Sequence, residues 1–144
     1  DLVRAQRDGA TLLIRRPDAT RPFQHVLDVL RGYLLQVEAL ARGDAPPALN
    51  FGPAGAALTV RDVLALHAAA AGRAVEWRAA PAPPMPEAQH LALDSSLAAA
   101  RLGWRPRLDA AAAIAATARW YAGWQAGADG RALALAEIEA SLAP

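Results

Sequence analysis

Apolar and polar positions along this chain follow the helical period far more often than the strand period. Leu27, Leu30, Leu34, Val37 and Leu40 recur at helical spacing and predict a helix over Leu27–Arg42, ended by Gly43 and followed by a loop over Asp44–Pro47. Asp1–Asp8 reads as the tail of a helix closed by Gly9. Thr59 is a good N-cap and Asp62 stands at the capping-box position. Val60, Val63, Leu64 and Leu66 then give a helix that stops at Gly72. Asp94-Ser95-Ser96 caps a short helix ending at Leu102-Gly103. Pro106 and Asp109 open a long helix to about Gln125, with Ile114, Trp120, Tyr121 and Trp124 as its bulky positions, and Arg131–Leu142 is a final helix.

The strand signals are short. Thr11–Ile14, Phe23–Val26, Ala48–Phe51, Ala74–Trp77 and Leu91–Leu93 each offer three or four suitable residues. Pro17 and Asp18 suit a turn within Arg15–Thr20, and four prolines in the seven residues Ala80–Pro86 predict an extended surface loop. The sum is an α/β chain, helix-rich, with short strands and an incomplete sheet. The strands are too few for a complete doubly wound sheet, so the chain reads as a piece of something larger.

Composition sharpens this picture. The 144 residues suffice for one domain, but much of the 54% hydrophobic content is alanine, which adds little burial per residue. The expectation is a marginal core, or a face that normally rests on another domain. All 15 basic residues are arginine, scattered along the chain against 14 acidic ones, which leaves no footprint for nucleic acid. The absence of cysteine excludes disulfides, thiolate zinc sites and cysteine nucleophiles. No apolar run approaches the ~20 residues a membrane helix needs, and no signal-peptide pattern opens the chain. It starts at Asp1-Leu2-Val3-Arg4 without methionine, as if cut from a longer chain or processed, and a cytoplasmic setting is the expectation.

Candidate chemistry is sparse. Gly52-Pro53-Ala54-Gly55-Ala56-Ala57-Leu58 superficially resembles a dinucleotide-binding turn. It lacks the third glycine, and Pro53 removes a backbone donor, so a structural turn is the better reading. His25, His67 and His90 lack metal-ligand spacing, and His67 reads as a surface or edge residue of its helix. There is no nucleophile elbow and no Ser-His-Asp set. Arg15, Arg16 and Arg21 lie around one turn, where guanidinium groups suit a bidentate grip on phosphate. Trp104 and Trp120 read as core or domain-interface aromatics.

The order of motifs is a familiar one. Ile14-Arg15-Arg16-Pro17-Asp18-Ala19-Thr20-Arg21-Pro22-Phe23-Gln24-His25-Val26-Leu27 resembles the I-R-x-P-x-A-x-R-P-W-Q-H-V-L stretch of CDP-glucose 4,6-dehydratases. Gly32-Tyr33-Leu34-Leu35 and Asn50-Phe51-Gly52-Pro53 follow as in that family. Leu93-Asp94-Ser95-Ser96 with Leu102-Gly103-Trp104-Arg105-Pro106 is similar to a signature spread across extended short-chain dehydrogenases. The Trp120-Tyr121 helix end also fits, so the resemblance covers nearly the whole chain.

The resemblance implies that residues 1–144 are the C-terminal, nucleotide-sugar-binding domain of a Rossmann-type dehydratase whose N-terminal NAD-binding domain is absent from this chain. The intact protein, a lyase able to form a homodimer, would oxidise the sugar at C4, eliminate water across C5 and C6, and return the hydride to C6. A Tyr-x-x-x-Lys pair serves the oxidation in that family. Here Val37 and Gln125 follow Tyr33 and Tyr121 by four residues and the chain has no lysine, so alone it would be inactive and supply no catalytic residue. By position Arg21 matches the arginine that grips the pyrophosphate, and Leu13 to Arg15 match the strand lining the nucleobase. His25 lies in the motif, where a buried structural hydrogen bond is favoured over substrate contact. One departure stands at Met85-Pro86-Glu87-Ala88, where many members carry H-P-H-E-A in a loop near the nucleotide. The rivals are a standalone domain that binds a nucleotide or protein without chemistry, and a piece of a related epimerase or reductase.

Overall fold

Local signals place the helices. A computed structural model describes residues 1–81 and 88–142; most of the proline-rich stretch Ala80–Pro86 and of the Met85–Ala88 departure lies outside the described residues. In order the elements are α1 (Leu2–Asp8), β1 (Leu12–Ile14), β2 (Thr20–Arg21), α2 (Val26–Arg42), β3 (Leu58–Thr59), α3 (Val60–Ala71), β4 (Trp77–Ala79), α4 (Ser96–Leu102), α5 (Ala110–Gln125) and α6 (Gly130–Leu142). Gly43 ends α2 at φ +78°, a left-handed conformation that a side chain would resist. Its N–H donates to the carbonyls of Ala39 and Leu40. Thr59 and Asp62 form the full capping box of α3, and Asp109 accepts from the Ala112 N–H to start α5.

Among the described residues the strands form two separate two-stranded sheets. β1 and β4 run parallel, with Leu12 opposite Trp77 and Ile14 opposite Ala79. β2 and β3 run antiparallel, with Thr20 opposite Thr59, and Thr20 also makes a parallel bridge to His90.

Three of the expected strands are corrected, and a fourth is shifted. Phe23–Val26 is not a strand: Pro22 has no N–H with which to continue the β2 ladder, and His25 becomes the N-cap of α2. Ala48–Phe51 is not one either, because side chains supply its backbone partners. Gln24 Nε2 donates to the Phe51 carbonyl at 2.6 Å, and the Gly52 N–H donates to Ser95 Oγ at 2.7 Å. Leu91–Leu93 stays irregular after a single Leu91 N–H donation to the Thr20 carbonyl. The strand expected at Ala74–Trp77 begins at Trp77 and runs to Ala79, the register set by pairing with β1.

Among the described residues, buried apolar side chains form two small clusters. Ala5, Leu12 and Leu64 pack with the half-buried Leu2, Ile14, Val75 and Trp77. Phe51, Ala98 and Trp104 pack with Leu35, Leu49 and Leu102. Helix α5 lies along α3, contributing the buried Ala113, Ile114 and Ala118. On α2 the line that goes inward is Asp28, Gly32 and Ala39, with Leu35 beside it. The stripe of Leu30, Leu34, Val37 and Leu40 faces outward instead, each residue between 45 and 65% exposed. No helix among the described residues is long and apolar enough to cross a membrane.

Candidate functional site

The arginine-bearing turn between β1 and β2 is pinned by the start of α3. The Val60 and Arg61 N–H groups donate to the carbonyls of Ala19 and Pro17 at 3.1 and 2.9 Å. The Arg61 guanidinium lies 5.0 Å from the centre of the Trp77 ring and donates to Asp18 Oδ1 through Nε at 3.2 Å and Nη2 at 3.0 Å. Gln89 Nε2 closes the far side by donating to the Asp18 carbonyl at 2.9 Å. Residues far apart in sequence thus hold one turn in a single shape.

The four residues singled out from the sequence lie in three settings. Arg21 is half-buried, donates from Nη1 to the Thr20 carbonyl at 2.7 Å, and lines a small cleft of about 110 Å³ with Pro53, Leu58 and Leu93. Leu13 is exposed on β1, opposite Arg78, and the exposed Arg15 follows just beyond the strand. Neither lines the Arg21 cleft. His25 is buried: its Nδ1 accepts from the Leu27 N–H at 3.4 Å, and its Nε2 lies 3.8 Å from Glu137 Oε2 on α6. Both ring nitrogens therefore face the protein's own groups.

The Gly52–Leu58 turn does not fit a dinucleotide. Its leading N–H is already taken by Ser95 Oγ, and Gly52 is a glycine because Leu93 presses on it. A Cβ there would lie 2.7 Å from that of Leu93. No backbone donor at this position is left aimed at a phosphate. Among the described residues no group of three or more His, Asp or Glu side chains could hold a metal ion. The tyrosines lie apart: Tyr33 meets Phe51 edge-on at 5.7 Å, while Tyr121 packs with Trp120 and Trp124.

A larger cavity, about 720 Å³, opens among α1, α3 and α5, with Phe23 bordering both it and the Arg21 cleft. His67 lines it. The reading of this histidine as a surface or edge residue is corrected: it is only 5% exposed, and neither ring nitrogen has a hydrogen-bond partner. Burial pushes its imidazole below the usual histidine range, which keeps the ring neutral. The signal was present in the sequence, because Val60, Leu64 and His67 share one face of α3 and His67 occupies a core position on it.

No protein-family profile matches the chain. Its sequence is 31% identical over 132 residues to the CDP-glucose 4,6-dehydratase of Salmonella typhimurium, a match covering 90% of this chain and 37% of that enzyme. Over nine-tenths of its length the chain is thus similar to part of a nucleotide-sugar dehydratase. It is also 36% identical over 109 residues to the dTDP-6-deoxy-L-talose 4-dehydrogenase (NAD(P)(+)) of Kitasatospora kifunensis, covering 74% of this chain and 33% of that one. The chain thus spans about a third of the length of the curated relatives it matches. Its fold is similar to part of a UDP-glucose-4-epimerase from Stenotrophomonas maltophila with bound NAD and formylated UDP-arabinopyranose, at 21% identity and a TM-score of 0.75 over 88% of this chain and 40% of that one. A mutant UDP-glucuronic acid 4-epimerase from Bacillus cereus, in complex with UDP-4-deoxy-4-fluoro-glucuronic acid and NAD, gives a TM-score of 0.71 at 18% identity, over 86% and 38% of the two chains. The helix-rich architecture with incomplete sheets is that of the C-terminal portion of such proteins.

Proposed function

We propose that this chain is the nucleotide-sugar-binding domain, residues 1–144, of an NAD-dependent nucleotide-sugar 4,6-dehydratase that converts CDP-glucose to CDP-4-keto-6-deoxyglucose. The observation that carries this reading is the 31% identity to a CDP-glucose 4,6-dehydratase over nine-tenths of the chain. Arg21, which lines the small cleft, takes the pyrophosphate, while Leu13 and Arg15 flank the nucleobase and His25 keeps the entry to α2 in shape. NAD and the Tyr-x-x-x-Lys pair belong to a Rossmann domain outside this chain. The lack of lysine and the occupied Gly52 turn support that division. The exposed stripe on α2 supports it too, since an apolar face of that length is the kind another domain covers.

The second reading, a related 4-dehydrogenase, rests on the 36% identity to the dTDP-sugar enzyme. Calorimetric titration of CDP-glucose, dTDP-glucose and UDP-glucose into this chain and into Arg21→Ala separates the two. A CDP preference that Arg21→Ala abolishes is expected. A dTDP preference supports the second reading, and no binding by the folded chain overturns the assignment of the site to it.

A further inference from the structure

The outward side of α2 carries a pattern of its own. Leu27, Leu30, Leu34, Val37 and Ala41 recur at alternating intervals of three and four residues, the spacing of a seam along which two helices pack. Val26, Tyr33 and Leu40 line one edge of that seam, and Arg31 and Glu38 line the other. Leu30, Leu34 and Val37 on the seam, with Val26, Tyr33 and Leu40 beside it, are each 45 to 65% exposed. Gly32, Leu35 and Ala39 already pack inward, so the helix is apolar on two opposite sides, and such a helix is ordinarily covered on both.

The charged edge indicates what covers it. Arg31 and Glu38 lie two turns apart, about 10 Å along the helix axis. Among the described residues neither has an oppositely charged partner. Glu38 is exposed, and the half-buried Arg31 donates from Nη2 to the carbonyl of the exposed Arg105. When two copies of one helix pack antiparallel about a two-fold axis, each edge of the seam meets the same edge of the other copy. Arg31 of each copy then stands beside Glu38 of the other, twice over, and the Val26-Tyr33-Leu40 edge meets itself. Parallel packing would lay both charges against that apolar edge instead.

We propose that α2 is a self-association surface, on which a second copy of this chain packs its own α2 antiparallel, with Leu34 of each copy against Val37 of the other. Charge decides the orientation, and the apolar seam supplies the affinity. The proposal is independent of the 4,6-dehydratase reading, since it uses neither Arg21 nor a sugar nucleotide. In a longer protein a Rossmann domain and a second copy would compete for the same seam; the inference concerns these 144 residues.

Sedimentation of the wild-type chain over a concentration series is expected to show a reversible monomer–dimer equilibrium. Arg31→Glu or Glu38→Arg alone turns both ionic contacts into like-charge contacts, and each should weaken self-association by roughly tenfold. Mixed in equal amounts, the two variants restore both contacts across the seam and should form a heterodimer, counted by native mass spectrometry, in preference to either homodimer. Arg31→Glu combined with Glu38→Arg in one chain should recover self-association. Arg31→Glu also gives up the bond to the Arg105 carbonyl. Should that variant fail to fold, Glu38→Arg is compared with Glu38→Gln: the first should self-associate more weakly, and the gap should close in high salt. A chain that stays monomeric at every concentration, a dimer indifferent to charge reversal, or a mixture without heterodimer preference would overturn the proposal.

Discussion

The indole N–H of Trp104 donates to the backbone carbonyl of Asp28 at 2.9 Å, across 76 residues of sequence. The carboxylate of the same Asp28 accepts from the backbone N–H groups of Arg107 and Leu108, at 2.8 and 3.2 Å. Trp104 is fully enclosed and meets the Phe51 ring edge-on at 5.0 Å. Two residues thus lock α2 to the segment that leads into α5, which gives the Leu102–Pro106 motif a structural meaning. In Asp28→Asn one of the two backbone donors must face an NH2 group whichever way the amide turns. We expect a loss of about 1–3 kcal/mol, against about 3–5 kcal/mol for Trp104→Ala, both read from urea midpoints. An unchanged midpoint in Asp28→Asn would contradict this role.

Gly32 sits where α2 meets the Phe51 ring. An added Cβ would lie 2.5 Å from Cδ1 and 2.7 Å from Cε1 of that ring, which is itself held by Tyr33 and Trp104. Alanine favours a helix by about 1 kcal/mol over glycine, but overpacking a held ring costs about 1–3 kcal/mol. Gly32→Ala should therefore destabilise the chain, whereas helix propensity acting alone would raise its thermal midpoint.

His67 makes stability depend on pH in one direction. Its folded value lies below the unfolded value of about 6.5, so as pH falls the unfolded chain takes up the proton first. The stability it contributes is whole above that value and declines below it. Between about pH 7.5 and 5.5 the wild type should lose more stability than His67→Leu, measured by denaturant unfolding at each pH. Equal losses would show that the ring does not titrate this way.

The capping box of α3 has an acid limit. Thr59 donates to Asp62 Oδ2 from Oγ1 at 2.7 Å and from its N–H at 2.9 Å, and these bonds hold the Asp62 carboxyl below the usual carboxylate range. A depressed carboxylate contributes stability that is present above its unfolded value, about 3.9, and lost as pH falls through the folded one. Thr59→Ala should cost about 1 kcal/mol near neutral pH. The gap to wild type should narrow in acid, once Asp62 is protonated in both.

The outward stripe of α2 is mostly exposed, with Leu34 and Val37 at 65 and 60%. Leu34→Gln with Val37→Gln should shift the unfolding free energy by less than about 0.5 kcal/mol per substitution while lowering concentration-dependent association, measured by light scattering. A large destabilisation would mean that the stripe is packed in solution.

What the sequence determined by itself is local. The ends of α1, α2, α3 and α4 at Gly9, Gly43, Gly72 and Gly103, and their partners Thr59 and Asp109 at helix starts, were legible because a cap is made within one turn of chain. The motif around Arg21 was legible for the same reason, as a run of adjacent residues. The tertiary structure decided the rest. Strands of two or three residues exist only through partners such as Leu12 and Trp77, 65 positions apart, and no short window contains that pairing. Helical spacing showed that α2 has a leucine stripe, but which side turns inward was decided elsewhere, by the Phe51 ring against Gly32 and the Arg107–Leu108 backbone against Asp28. His67 became a buried, unpartnered group only when α5 closed over α3, because burial is a property of neighbours and not of the residue that is buried.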